Sequence, residues 1–235
     1  MVPWRARRRE LWSRFSCFQP SLLACPAKRK IGFGAMTSMF ATLRAKGRGL
    51  SVGQFASKAI RVVRETTAAR IFLRGCTKVG SGARVDGRTR VRNLGRIELG
   101  ERVSFISRWA PVALSAGPQG VLTIGDGCSI NYGTLLSAAK RVQLGRGVMI
   151  GNYCVISDTI VPGSGEPPQP IEIGDDVWLA IRVTVMPGSK IGAGAVISAG
   201  SVVDGEIPPG VLAAGVPARV LRPAVQPAVP QDLAS

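Results

Sequence analysis

Histidine is absent from all 235 residues. That removes the one side chain whose ordinary pKa lies near neutrality, and with it Ser-His-Asp triads, imidazole proton shuttles and every His-containing metal set. Cysteine offers no replacement. The five cysteines, Cys17, Cys25, Cys76, Cys128 and Cys154, form no Cys-x-x-Cys pair, so no zinc or dithiol site is expected. Unpaired thiols in odd number suit a reducing, cytoplasmic compartment. No apolar run is long enough to span a bilayer. No Gly-x-Gly-x-x-Gly opens a helix. Aromatics make up only 6% of the chain while glycine contributes 29 residues, which suits narrow coils better than a thick globular core.

Acidic residues are scarce, and their scarcity is local. Lys and Arg outnumber Asp and Glu by 31 to 14. Residues 1–75 hold sixteen of the cations and two of the acids, a balance of +14, whereas the remainder balances at +3. The basicity therefore belongs to an N-terminal region. Residues 1–50 are expected to form a basic extension without stable structure, and no secretory signal is expected there, since no apolar stretch precedes a small-residue cleavage site. Residues 51–75 read as a helix. Phe55, Ala59, Val62, Val63, Ala69 and Phe72 fall near one face, with Lys58, Arg61, Arg64 and Arg70 elsewhere. Its expected role is to cap the exposed end of the C-terminal domain. The same basic segment also fits peripheral contact with an anionic membrane at its cytoplasmic face. Nucleic-acid binding is not expected, because the charges sit on a tail and a cap, without an aromatic-lined groove.

What the chain has in abundance is a period of six. Ile173, Leu179, Val185, Ile191, Ile197 and Val203 recur at that spacing, and the residues four after each are small or β-branched. Six is neither the helical 3.6 nor the strand period of 2. It is the period of a chain that makes a short strand, turns a corner and repeats, stacking coil on coil with the aliphatics inward. The register runs upstream with slips, and coils are expected to begin near Val79, Leu99, Ile124, Leu144, Ile173 and Ile191. Cys128 and Cys154 fall on the small-residue positions. Two insertions interrupt the pattern: a bulge over residues 108–120, and a Gly/Pro-rich excursion over residues 157–170. Loops of this kind gather on the binding face of a solenoid.

The run IGDDVWLAIRVTVMPGSKIGAGAVISAGSVV, followed by IPPGVLAAGVPARVLR, resembles the hexapeptide-repeat acyltransferases, which include galactoside and maltose O-acetyltransferases and sugar acetyltransferases of polysaccharide pathways. The resemblance covers roughly residues 75–222. It implies an all-β left-handed parallel β-helix over residues 76–222, with residues 223–235 as a flexible tail. It also implies a homotrimer with acetyl-CoA held in clefts between subunits, and O-acetyl transfer to a hydroxyl of a sugar, a glycan precursor or a glycan-lipid.

The same resemblance assigns site residues. Coenzyme A contacts fall on Trp178, Ile181 (through its backbone), Ala199, Asp204, Gly205, Arg219 and Arg222. Asp204 and Gly205 stand where Thr-Lys is frequent, so one cation near the CoA phosphates is missing. Arg219 and Arg222 keep the planar fork that suits phosphate. Trp178 reads equally as a wall of the cleft and as surface packing. Asn131 is kept, but a second family Asn falls on Gly133. The family's catalytic His falls on Val161 or Pro162. Three readings are open. A carboxylate, Asp158 or Glu166, serves as base; or positioning alone supplies the rate; or the chain is a catalytically silent, CoA-binding or scaffolding relative.

Overall fold

A computed structural model of the chain describes residues 52–159 and 167–224. The basic extension over residues 1–50 lies outside the described residues, as does nearly all of the C-terminal tail. The described part is one helix followed by a three-faced parallel solenoid of short strands.

The helix spans Val52–Phe72. It contains no Gly or Pro after Gly53, and Arg61 pairs with Glu65 one turn on at 3.5 Å. Ala69 and Leu73 are fully buried against the first coil, with Ala68 and Phe72 packed beside them. Asn93 fastens the exit of the helix by donating through Nδ2 to the Gly75 carbonyl at 3.0 Å and to the Thr77 hydroxyl at 3.1 Å. These contacts tie the end of the helix to the first coil. One residue departs from the expected core face: Val63 is 48% exposed. At 100° per residue it lies a third of a turn from Val62 and faces away from the solenoid.

Face A is a seven-stranded parallel sheet running from Lys78–Val79 through Arg96–Leu99, Val121–Ile124, Arg141–Leu144, Ile171–Ile173 and Lys190–Ile191 to Glu206–Ile207. Faces B and C are continuous in the first coils, where Arg84–Asn93 and Ser104–Ala116 each turn the corner between them. Face B continues through Ser129–Asn131, Met149–Ile150, Trp178–Leu179 and Val196–Ile197 to Val211–Gly215. Face C continues through Leu135–Ala138, Val155–Ser157 and Thr184–Val185 to Val202–Val203. The six-residue aliphatics from Ile173 to Val203 are at most 3% exposed and stack in register, as Ile173 does on Ile191. At roughly 1.5–3 kcal/mol per buried aliphatic side chain, this column is the main source of stability.

Two expectations are corrected. Val79 is 40% exposed, because the first face A strand has a neighbour on one side only. The bulge expected over residues 108–120 is mostly strand. After an excursion at 108–111, Val112, Leu114 and Ala116 point inward and pair with the neighbouring coils. Their period-2 alternation was hidden by the slip in the six-residue count.

Many corners turn on one left-handed residue. At the B–C corner these are Gly133 (φ 71°), Tyr153 (φ 56°), Arg182 (φ 57°) and Gly200 (φ 70°), one coil apart. Tyr153 and Arg182 occupy a region that β-carbon-bearing residues seldom adopt.

Candidate active site

The B–C corner carries the densest set of chemically distinctive side chains. Asn131 ends its face B strand and donates through Nδ2 to the Ile150 carbonyl of the next coil at 2.9 Å. Tyr132 is the next residue. Its hydroxyl accepts from Asn152 Nδ2 at 2.7 Å. Its ring meets Trp109 edge-on at a centroid distance of 5.1 Å and Tyr153 at 5.5 Å, with interplanar angles of 74° and 88°. These are favourable edge-to-face arrangements. Trp109 is 73% exposed and Tyr153 is 49% exposed. The three rings form a fixed, wet aromatic ridge along the corner, continued towards the C-terminus by Ile181 and Arg182.

The inner side of this corner is inert. Cys154 is fully buried, its thiol hydrogen-bonded to the Ala180 carbonyl at 3.0 Å, and burial pushes it up to about 11. Cys128 does the same at the A–B corner, donating to the Gly145 carbonyl at 3.1 Å and likewise pushed up to about 11. Both are small core side chains whose thiolates are disfavoured, and neither is an available nucleophile.

Asp158 occupies the C–A corner, at the neck of the long insertion. It is fully buried. Its Oδ1 accepts from the Ala139 backbone N–H at 2.7 Å, and its Oδ2 from those of Lys140 and Arg141 at 2.7 and 2.8 Å. Its own carbonyl accepts from the Gln169 N–H at 3.0 Å, closing the insertion. The carboxylate expected to serve as a base is thus already engaged. Three backbone donors engage its carboxylate, and no part of it faces solvent. It is an anchor of the preceding coil's turn. Val161, Pro162 and Glu166 lie outside the described residues.

The remaining predicted positions lie at the B–C corner, on face B and its C-terminal end, and at the C–A corner. Ile181 and Ala199 share the B–C corner with Asn131, and Trp178 projects outward from face B between Met149 and Val196. Arg219 and Arg222 lie exposed on Ala218–Pro223, which folds back antiparallel on Val211–Gly215 at the end of face B. Asp204 and Gly205 lie at the C–A corner. Face C separates the two corners within one chain. One outward row, Ala113, Leu135, Val155, Thr184 and Val202, is nearly free of polar groups, and the row beside it carries Ser115, Ser137 and Ser157. No cluster of metal-ligating side chains occurs among the described residues.

The aromatic ridge was missed in the sequence. Its signal was present: Trp109, Tyr132 and Tyr153 each come after the face B strand of successive coils, but they are 23 and 21 residues apart because the coils differ in length. A fixed six-residue count cannot align them.

Comparison with known proteins gives one family match, "Bacterial transferase hexapeptide (six repeats)", over residues 170–205. Among curated proteins, the chain is 31% identical over 179 residues to "Putative lipopolysaccharide biosynthesis O-acetyl transferase WbbJ" of Escherichia coli, covering 69% of this chain and 87% of that protein. It is 37% identical over 119 residues to galactoside O-acetyltransferase of the same organism, covering 48% of this chain and 58% of that one. Among solved structures, a variant of AntD, an N-acyltransferase from Bacillus cereus in complex with dTDP and coenzyme A, superposes with a TM-score of 0.57 at 20% identity, over 70% of this chain and 93% of that one. That likeness is one of fold.

Proposed function

The chain belongs to the hexapeptide-repeat acyltransferase family, and from that premise we propose that it moves an acetyl group from acetyl-CoA to a hydroxyl of a saccharide or glycan precursor. The observation that carries this reading is the alignment at 31% identity over 87% of a protein named for O-acetyl transfer in lipopolysaccharide biosynthesis. The aromatic ridge supports it. An exposed indole beside phenol rings offers an apolar surface for the C–H face of a pyranose, while Asn152 and the ring hydroxyls stand ready for its oxygens. Arg219 and Arg222 supply fixed positive charge for the CoA phosphates.

In this reading the working unit is a homotrimer. Asp204 and Gly205 lie on the C–A corner, which one chain keeps apart from the ridge and from Ile181 and Ala199, and the outward row from Ala113 to Val202 on face C between the two corners suits contact with a second copy. A cleft between copies would bring the B–C corner of one to the C–A corner of the next.

The reaction breaks the thioester C–S bond and forms an ester C–O bond. The acceptor hydroxyl proton must leave, and the CoA sulfur departs as thiolate and takes up a proton. No imidazole can move these protons, and Asp158 is engaged. Catalysis then rests on placing the hydroxyl against the thioester carbonyl, a contribution that can be large. The same two observations, a missing imidazole and an engaged Asp158, favour a second reading: a CoA-binding trimer that transfers nothing.

Acetyl-CoA turnover against a panel of sugars, read as free thiol, tests the first reading. CoA binding in the wild type and in Arg219→Gln/Arg222→Gln tests what both readings share. The double substitution is expected to weaken binding by about 2–4 kcal/mol. Thiol release with any sugar above the solvent rate supports transfer. CoA binding without turnover supports the silent trimer. Unchanged CoA affinity in the double variant would remove the assigned site.

A further inference from the structure

The helix Val52–Phe72 is apolar on two opposite sides. Its inner side, with Ala69 and the adjoining Leu73, seals the solenoid. Its outer side carries Ile60, Val63, Thr67 and Ile71. At 100° per residue these four fall within an arc of about 80°. The three aliphatics are 69%, 48% and 55% exposed. A surface helix normally turns charge to the solvent, so an exposed apolar stripe diametrically opposite the buried one needs an occupant.

The border of the stripe shows what kind. Arg64 flanks it on one side and Arg70 on the other, and Arg74 comes just after the last turn, all exposed. The only acid of the described helix, Glu65, lies on the inner side at 8% exposure. Asp86, which meets Arg64 at 3.3 Å, is shared with Arg108 at 2.7 Å. The strand beneath the helix adds exposed Arg88, Arg90 and Arg92.

We propose that this outer face docks the protein on an anionic lipid surface, with the isoleucines inserted among the acyl chains and the arginines at the headgroups. A narrow line of aliphatics bordered by cations, with no carboxylate on that face, matches a bilayer interface. Long arginine side chains can lie along the apolar surface while their charges reach the phosphates. Each basic side chain near such a surface contributes modestly, and the sum is sensitive to salt. Docking of this kind does not depend on acetyl transfer.

The test is flotation of the full-length chain with vesicles of phosphatidylcholine alone or containing phosphatidylserine. Binding is expected only to the anionic vesicles and should weaken as salt rises. Ile60→Ser/Ile71→Ser should reduce it by roughly tenfold or more, from the apolar surface withdrawn, and Arg70→Gln/Arg74→Gln by roughly tenfold. All four side chains are exposed, so the unfolding temperature should not change, and thiol release with a soluble acceptor should not either. Several outcomes would overturn the proposal: equal or no binding to both vesicle types, binding by Ile60→Ser/Ile71→Ser equal to wild type, or binding to duplex DNA without binding to vesicles. Equal binding by the isoleucine variant would assign the attraction to the basic segment preceding the helix.

Discussion

The ring of Tyr153 occupies the space that a side chain on Gly133 would need: a β-carbon built there falls against the ring's Cδ1 and Cε1. Both residues hold the left-handed corner conformation, one coil apart. In that conformation the side chain lies over the corner of the preceding coil, as Arg102 does over Gly82 and Asp176 over Gly147. A large residue at one level therefore crowds the position below it, and Tyr153 sits over a glycine. Gly133 is where the resembling family carries a second Asn, so here a tyrosine ring replaces an amide that would come from the coil beneath.

This coupling can be measured. Gly133→Asn should destabilise the protein by about 1–3 kcal/mol, chiefly by overpacking, since Asn itself tolerates positive φ. Tyr153→Gly opens the space and relieves the strained φ. The double variant should then be more stable than the sum of the single effects predicts, with a coupling energy above about 1 kcal/mol in denaturant unfolding. Strict additivity would mean that the ring moves aside freely.

Asp158 accepts three backbone hydrogen bonds in the core of its corner. Asp158→Ala leaves the N–H groups of Ala139, Lys140 and Arg141 without their acceptors, at an expected cost of about 3–5 kcal/mol. Asp158→Asn keeps the shape but can turn only one oxygen toward three donors, and should cost less. Circular dichroism melts would read both. Any change in thiol release should track the folded fraction and add no new pH dependence. A large rate loss in a fully folded Asp158→Asn would restore the carboxylate as a base.

The solenoid was legible because its physics is local. Each aliphatic from Ile173 to Val203 must face a narrow interior, and no other residue type satisfies that position. The helix was legible from the spacing of its apolar residues. Less legible was anything that depends on coil length. The strand at 112–116 hid in a register slip, and the Trp109, Tyr132 and Tyr153 ridge is aligned only in three dimensions. The bonding of Asp158 was not legible, because a carboxylate in a loop looks the same in sequence whether it faces solvent or three backbone amides. That distinction rests on Ala139 to Arg141, seventeen or more residues away. Val63 misled by hydrophobicity alone, since nothing in its type says which side of the helix it serves.

Cys76, Cys128 and Cys154 tie stability to alkaline pH. Burial raises each from 9.0 to about 11 in the folded chain. The unfolded chain loses these protons from pH 9 upward while the folded chain keeps them. Their contribution is therefore complete below pH 9 and is lost as pH rises from 9 to 11. Thermal melts should fall across that window. Cys128→Ala/Cys154→Ala should flatten the fall while lowering stability at neutral pH. Ellman's reagent should react with Cys128 and Cys154 only after denaturation. Rapid labelling of either thiol in the native state would contradict their burial.

With no histidine in the chain, transfer that relies on positioning should show no rate limb governed by a group near pH 6.5. The rate should instead keep rising with pH while the fold persists, as the acceptor hydroxyl loses its proton more readily. Restoring the imidazole by Val161→His or Pro162→His should then add roughly 10²–10⁴-fold, the usual contribution of a general base. A new titration near the ordinary histidine value should accompany the gain. Single-turnover thiol release at several pH values, with CoA affinity measured in parallel, separates the outcomes. A gain with unchanged affinity means that the cleft is intact and lacks only its base. No gain from either histidine, with CoA still bound and wild-type turnover at the solvent rate for every sugar, would identify a protein that keeps the cofactor site and has given up the chemistry.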